Sequence, residues 1–305
     1  MSSFSVLSLP QEQLENLEAL GYQSMTPVQM AALPPGLAGR DLVVQAQTGS
    51  GKTVAFGLPV LADINPRDFG TQALILCPTR ELAAQVATEI RRLARALPNL
   101  KVVVLCGGQP IGPQIGSLEH GAHIVVGTPG RVKDHLRKQT LTLPRLKTLV
   151  LDEADRMLDM GFSDDMTDII SETPSSRQTL LFSATFPDDI ASISAQYQRT
   201  PERITVSTQV ADGQIAQIFV RTQRSDKTQT LINLIQGYQP SAAVIFCQTK
   251  AAVHDLVIML KAQGVEAAGL HGDLEQRERD QVLLLFKQMS LRLLVATDVA
   301  ARGLD

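Results

Sequence analysis

Three cysteines, no excess of positive charge and no apolar run long enough to span a bilayer define what this 305-residue sequence does without. Cys77, Cys106 and Cys247 each close an apolar run, and none lies near another in sequence. That excludes a disulfide framework and a cysteine-based zinc site, and leaves three small buried residues of a reducing compartment. His120 and His123 have no second pair of ligands nearby, so they read as a surface loop. The net charge is −3, so any binding to a polyanion must come from local arrangement, not from a global field. The start, MSSFSVLSLP, has no basic residue and no long apolar stretch. A cytoplasmic protein with no membrane partner is the expectation.

What is present suits a folded chain. Hydrophobic residues make up 44% of it, enough for a full core. Roughly 150 residues per domain predicts two domains. Short apolar runs recur at DLVVQA (41–46), QALILC (72–77), KVVVLC (101–106), AHIVVG (122–127), LKTLVLD (146–152) and QTLLFS (178–183). Helical patterns such as RELAAQVATEIRRLARAL (80–97) lie between them. Strands apolar on both faces, alternating with helices, predict an α/β fold with a parallel sheet covered on both sides. The pattern repeats with strands AAVIFC (242–247), VEAAGL (265–270) and LRLLVAT (291–297), and with helices at 250–264 and 274–289, the first closed by Gly264. ITV (204–206) is a candidate last strand of the first half. The polar stretch that follows places a first domain at 1–206, a linker at 207–213 and a second domain at 214–305.

An open parallel sheet binds its ligand beyond the carboxyl ends of its strands. After DLVVQA comes AQTGSGKT (46–53), a Gly-rich turn that opens a helix. Backbone N–H groups of Gly49, Ser50, Gly51 and Lys52 can converge on a phosphate there. Lys52 would reach the β- and γ-phosphates, and the Thr53 hydroxyl would help hold Mg²⁺. The usual phosphate loop begins with Gly, and here that position is Ala46. After LKTLVL comes DEAD (152–155). Alone, acids at a strand-to-helix junction are as readily helix N-terminal charges. Beside a phosphate loop, Asp152 would orient Mg²⁺ and Glu153 would position and deprotonate an attacking water. SAT (183–185) could hydrogen-bond a neighbouring carboxylate, or simply cap a helix. PTRE (78–81), GG (107–108) and TPGR (128–131) follow three other strands. Each alone is a turn; together they offer N–H groups and guanidinium groups to a phosphodiester backbone. RRLAR (91–95) reads as a solvated helix face. In GYQSMTPVQ (21–29), Gln29 could pair with an adenine edge and Tyr22 could stack on the ring, although a helix cap and a core aromatic fit the same residues.

GYQSMTPVQ, AQTGSGKT, PTREL, TPGR, DEAD, SAT, IFCQTK (245–250), HGDLEQRER (271–279) and ATDVAARGLD (296–305), in that order, resemble the motifs of the DEAD-box ATP-dependent RNA helicases. The resemblance covers essentially the whole chain. It implies two tandem RecA-like domains, the second incomplete, with ATP and Mg²⁺ bound and RNA as the partner of a monomer. It assigns ATP binding to Phe4, Tyr22, Thr26, Gln29, Ala46, Gln47, Thr48, Gly49, Ser50, Gly51, Lys52, Thr53 and Asp305. Lys52, Asp152 and Glu153 would be catalytic, and Thr53 and Asp152 would hold the metal. Asp155 would couple to Ser183 and Thr185, linking ATP state to domain closure. Pro78, Thr79, Arg80, Gly108, Thr128, Gly130 and Arg131 would hold one RNA strand, joined by Thr249, Gly272, Arg279 and Thr297 from the second domain.

The stretches 105–131 and 152–164 resemble, more narrowly, the bacterial DEAD-box protein A subfamily. That implies local unwinding of short ribosomal RNA duplexes in large-subunit assembly. The family continues past ARGLD to a motif of the type HRxGRxxR, whose arginines reach the γ-phosphate. No such motif occurs in these residues. The expectation is a truncated chain with an exposed apolar sheet edge in its second half. Loss of such arginines costs on the order of 10³-fold or more in rate, so a nucleotide-binding RNA clamp is the alternative reading.

Overall fold

The computed structural model describes residues 2–186, 188–206 and 216–297. They fall into two units, one on each side of the 207–215 stretch. The expected linker, 207–213, lies outside the described residues.

In the first unit each apolar run forms a strand. These are β1 (Leu42–Gln45), β2 (Ala73–Leu76), β3 (Val102–Leu105), β4 (Ile124–Gly127), β5 (Thr148–Leu151), β6 (Gln178–Ser183) and β7 (Glu202–Thr205). They pair in parallel in the order β3-β4-β2-β5-β6-β1-β7. The register sets Leu76 beside both Gly127 and Leu151, and Gln45 beside Ser183. The strands therefore end nearly level, and the segments that follow them emerge along one edge.

Alternation sends neighbouring residues to opposite faces. Val44, Ile75, Val126, Val150, Leu180 and Phe182 pack under the helices Pro27–Leu37, Lys52–Ala62 and Arg80–Leu93. Val43, Leu74, Leu149, Leu151 and Leu181 pack with residues of Pro129–Arg137, Ala154–Asp159, Ser163–Ser171 and Asp188–Tyr197 on the other face. Phe56 and Phe182 meet edge-to-face at 5.4 Å, both fully buried. The helix expected over 80–97 ends as α-helix at Leu93, followed by a 3-10 turn, Ala94–Ala96. Leu97 precedes Pro98 and is extended (φ −107°, ψ 107°), because a residue before proline avoids the helical region.

The second unit carries β8 (Ala243–Cys247), β9 (Ala267–Leu270) and β10 (Leu293–Thr297), parallel, in the order β8-β10-β9. Ile232, Val253, Leu256 and Leu260, from the helices Lys227–Tyr238 and Lys250–Ala262, cover one face. The helix Gln276–Lys287 lies over the other and has no fully buried residue. Gly264 takes φ +72° just past the second of these helices, as its place at the helix end requires. The expectation of strands covered on both faces holds for β10 and fails for β8, whose Phe246 is 65% exposed. β8 is an outer strand with one paired edge among the described residues.

Two residue readings need correction. His123 is not in a surface loop: it is fully buried, accepts from Lys101 N through Nδ1 at 3.0 Å and meets Pro66 O through Nε2 at 3.1 Å. Cys247 is only half-buried, because it ends the outer strand β8, whereas Cys77 and Cys106 are buried as expected.

The Phe56–Phe182 pair generates a stability prediction. Phe56→Ala should lower the stability of the first unit by about 3–5 kcal/mol. Urea unfolding followed by far-ultraviolet circular dichroism measures it, since the sequence has no Trp to report.

Candidate nucleotide and nucleic-acid site

The phosphate loop grows directly out of β1. Ala46 N donates to Ser183 O at 3.0 Å and continues the strand pairing by one residue. The chain then turns through Gly49 (φ +78°) and Gly51 (φ +91°), both left-handed, and enters the helix Lys52–Ala62 with Gly51 as its cap. A Cβ on Gly51 would also stand 2.5 Å from the Gln29 amide nitrogen, so glycine is required twice over. Ser50 Oγ donates to Gln47 O at 2.7 Å and tightens the turn. Lys52 is 6% exposed, and its Nζ has no hydrogen-bond partner. A buried ammonium without an acceptor is costly, and an anion in the loop would satisfy it.

Gln29 is fixed from two sides. Thr26 caps the helix Pro27–Leu37 in a capping box, its N donating to Gln29 Oε1 at 2.9 Å. Gln29 Nε2 donates to Gly51 O at 3.1 Å. One amide N–H and one lone pair remain for a ligand. Tyr22 is half-buried and donates to Glu89 Oε1 at 2.5 Å. Burial first, and then that hydrogen bond to Glu89, push the phenol up to about 12. Phe4 is buried against Tyr22, with ring centroids 6.3 Å apart.

At the end of β5, Asp152 N donates to Leu76 O at 3.0 Å, which seats the acidic turn between β5 and β2. Asp152 is 3% exposed with Oδ1 unpartnered. Burial pushes its pKa up to about 6, Lys52 opposes the rise, and Glu153 adds to it. Glu153 adopts a left-handed backbone, φ 52° and ψ 52°, an uncommon conformation for a residue with a Cβ. Its carboxylate accepts from Thr48 Oγ1 at 3.3 Å and pairs with Arg156 at 3.3 Å. Thr185 donates to Asp155 Oδ2 from its N at 2.9 Å and its Oγ1 at 2.8 Å. Burial raises the Asp155 pKa, but the Thr185 hydroxyl and amide, with Ser183 beside them, outweigh it and hold it low.

The three other motifs meet at the ends of β2, β3 and β4. Pro78 is buried, and Thr79 caps the helix Arg80–Leu93 by accepting from Leu82 N at 3.2 Å. Arg80 Nη1 donates to Gly107 O at 3.2 Å. A Cβ on Gly108 (φ +77°) would overlap that guanidinium. Thr128 N donates to Leu105 O at 3.0 Å, and Gly130 lies half-buried in the first turn of the helix Pro129–Arg137. Arg131 Nη2 donates to Gln109 O at 3.0 Å, while its Nη1 is buried without a partner. In the second unit, Thr249, Gly272 and Thr297 lie at or just past the ends of β8, β9 and β10, and Arg279 lies on the helix Gln276–Lys287. Asp305 lies outside the described residues. Motif reading missed Glu89 and Arg156, the partners of Tyr22 and Glu153. The three-residue spacing from Glu153 to Arg156 was the available signal for the second; no local signal marks the first, 67 residues from Tyr22.

The raised Asp152 pKa has a thermodynamic consequence. The folded chain takes a proton there before the unfolded chain does, so stability falls as pH rises through the window from about 4 to about 6. Asp152→Asn removes the buried charge. In nucleotide- and metal-free protein, its thermal midpoint should exceed the parent's near pH 7 and approach it toward about pH 4, as calorimetry would measure.

The sequence profile of the DEAD/DEAH box helicases matches residues 26–193, and that of the helicase conserved C-terminal domain matches residues 226–305. The chain is 58% identical to the ATP-dependent RNA helicase DbpA of Escherichia coli K12, covering 100% of this chain and 67% of that protein. It is 45% identical to the ATP-dependent RNA helicase CshA of Listeria monocytogenes, of which it spans 59%. Among solved structures, Saccharomyces cerevisiae Dbp5 bound to RNA and ADP BeF3 superposes with a TM-score of 0.89 at 32% identity, covering 99% of this chain and 78% of that one. A DEAD box protein from Methanococcus jannaschii superposes with a TM-score of 0.65 at 39% identity, covering 99% of this chain and 82% of that one. The two parallel-sheet units are RecA-like, as in those structures. On the strength of both profiles and of motifs gathered on one sheet edge, the chain belongs to the DEAD/DEAH box helicase family.

Proposed function

We propose that the protein is an ATP-dependent RNA helicase that couples ATP hydrolysis to local separation of RNA strands. The observation that carries the reading is the pair Lys52 Nζ and Asp152 Oδ1, both buried and both without hydrogen-bond partners beside a phosphate-type loop. A cation and an anion left unsatisfied together fit a metal-bound triphosphate. Among the described residues no group of three or more His, Cys, Asp or Glu could hold a metal by itself. That suits Mg²⁺, which keeps waters and phosphate oxygens as ligands. Thr53 and Asp152 would hold it, and it would neutralise charge on the β- and γ-phosphates.

Lys52 would bind the terminal phosphates. Glu153, held by Thr48 and Arg156, would orient the attacking water in line with the bond to be broken and accept its proton. Asp155 and Thr185 tie the acidic turn to the segment after β6, so a change at the γ-phosphate would be felt there. Arg80, Arg131 and the loop at Gly108 would grip the sugar-phosphate backbone without reading bases. RNA would be chosen over DNA through 2′-hydroxyl groups. A strand held in a path that a duplex cannot follow leaves its complement. The stretches 105–131 and 152–164, which resemble the bacterial DEAD-box protein A subfamily, support ribosomal RNA as the substrate.

Two measurements on the full-length protein test this. Glu153→Gln should lower RNA-stimulated phosphate release by on the order of 100-fold or more while leaving ATP binding intact. Unchanged turnover removes the role assigned to Glu153, and binding without turnover in the parent marks an RNA clamp. Arg80→Ala should weaken single-stranded RNA binding and lower its logarithmic salt slope by about 0.7, the share of one phosphate contact. An unaltered slope would show that Arg80 does not meet the backbone.

A further inference from the structure

We propose that Gln114 and His135 are positioning residues for the RNA-gripping loop at 107–109, acting through one buried hydrogen-bond relay. The proposal rests on the RNA reading above and names residues that lie outside every motif of that reading.

The helix Pro129–Arg137 carries Arg131 and His135 four residues apart, so their side chains lie on one face. Both reach across to the same stretch of chain. Arg131 Nη2 donates to Gln109 O at 3.0 Å. His135 Nε2 meets Gln114 Oε1 at 3.4 Å, and Gln114 Nε2 donates to Cys106 O at 3.0 Å. His135 is fully buried and Gln114 is 9% exposed. The relay thus joins the helix that starts in TPGR to the two ends of the Gly107–Gly108 loop: the last residue of the β3 run and the helix Ile111–Leu118.

The hydrogen-bond directions follow from the donor inventory. Cys106 O can only accept, so the Gln114 amide nitrogen faces it and Gln114 Oε1 faces the imidazole. His135 Nε2 therefore carries the proton toward Gln114, and Nδ1 lies 2.8 Å from the Thr140 hydroxyl, which is shared with His135 O at 3.2 Å. Burial, and then the nearby Arg131 charge, keep the His135 pKa below its ordinary value, which favours the neutral ring.

A glycine loop has no side chains with which to hold itself. Gly108 takes a left-handed backbone, and Gly107 O is held by Arg80. Arg80 and Arg131 are themselves the proposed phosphate ligands, so phosphate would compete for the guanidinium groups that brace the loop. The Gln114–His135 relay is the brace that does not depend on those groups. It would keep the loop's N–H groups aimed when the arginines turn to RNA, and preorganisation of that kind raises affinity without a new contact.

The test uses this chain with a labelled single-stranded oligouridine, fluorescent ADP as a control ligand and thermal unfolding. Gln114→Leu and His135→Phe should each weaken RNA binding by on the order of ten-fold, as small misplacements of binding groups do. ADP affinity should stay at the parent value. The salt slope should also stay unchanged, because no phosphate contact is removed, whereas Arg131→Ala should lower it. His135→Gln, which keeps a donor reaching toward Gln114, should recover most of the affinity. Parent-like RNA binding by both Gln114→Leu and His135→Phe overturns the proposal. So does a parallel loss of RNA binding, ADP binding and thermal midpoint, which would mark a purely structural relay. If the parent binds RNA and Arg131→Ala does not while the relay variants bind normally, only this proposal fails. If the parent does not bind RNA, the RNA reading fails and takes this one with it.

Discussion

Two buried charged groups that the fold leaves incompletely satisfied, Lys52 with no hydrogen-bond partner on Nζ and Asp152 with none on Oδ1, organise this molecule. Buried charges short of hydrogen bonds oppose folding, and Asp152 shows the opposition in a pKa that burial raises to about 6 against the attraction of Lys52. The surrounding structure has to be stable enough to hold them in place. That stability comes from the aliphatic sheet and its two helical layers, where Leu42, Val44, Leu74, Ile75, Leu149 and Leu180 have essentially no exposed surface. A site preorganised to be unsatisfied when empty binds its ligand with less reorganisation.

The strand order divides the ligand edge into two halves. β5, β6 and β1 are consecutive neighbours and carry the acidic turn, the SAT stretch and the phosphate loop. β3, β4 and β2 are consecutive on the other side and carry the glycine pair, TPGR and PTRE. β2 and β5 pair at the junction, and Asp152 N donates to Leu76 O there. The proposed chemistry at one half and the proposed polymer binding at the other are thus joined by one strand pair.

Much of this was legible from residue patterns. Apolar runs with helices between them announced a parallel sheet, because only strands buried on both faces are apolar at consecutive positions. AQTGSGKT announced a phosphate loop, because glycines at left-handed positions and a lysine opening a helix have few other uses together. Less legible were the places where a long-range partner sets the environment. His123 looked like loop chemistry but is fully buried beside Lys101 and Pro66, 22 and 57 residues away in the chain. Phe246 looked like a core residue and is exposed on β8, an outer strand among the described residues. Local pattern reports what a residue prefers, while burial depends on which strand happens to be its neighbour.

The sequence by itself determined the kinds of element, the turns that need glycine, and the identity of the groups proposed to meet phosphate. Each is a short-range property of side-chain size, backbone freedom and charge within a few residues. Only the tertiary structure decided that Gly51 faces Gln29, that the Tyr22 hydroxyl pairs with Glu89, and that Arg80 and Arg131 converge on one glycine loop. It also decided that Gln114 and His135, unremarkable in the sequence, join the two ends of that loop to the helix beyond it. Those outcomes rest on strand order and register, which are set by the summed burial of the whole sheet and not by any one stretch of chain.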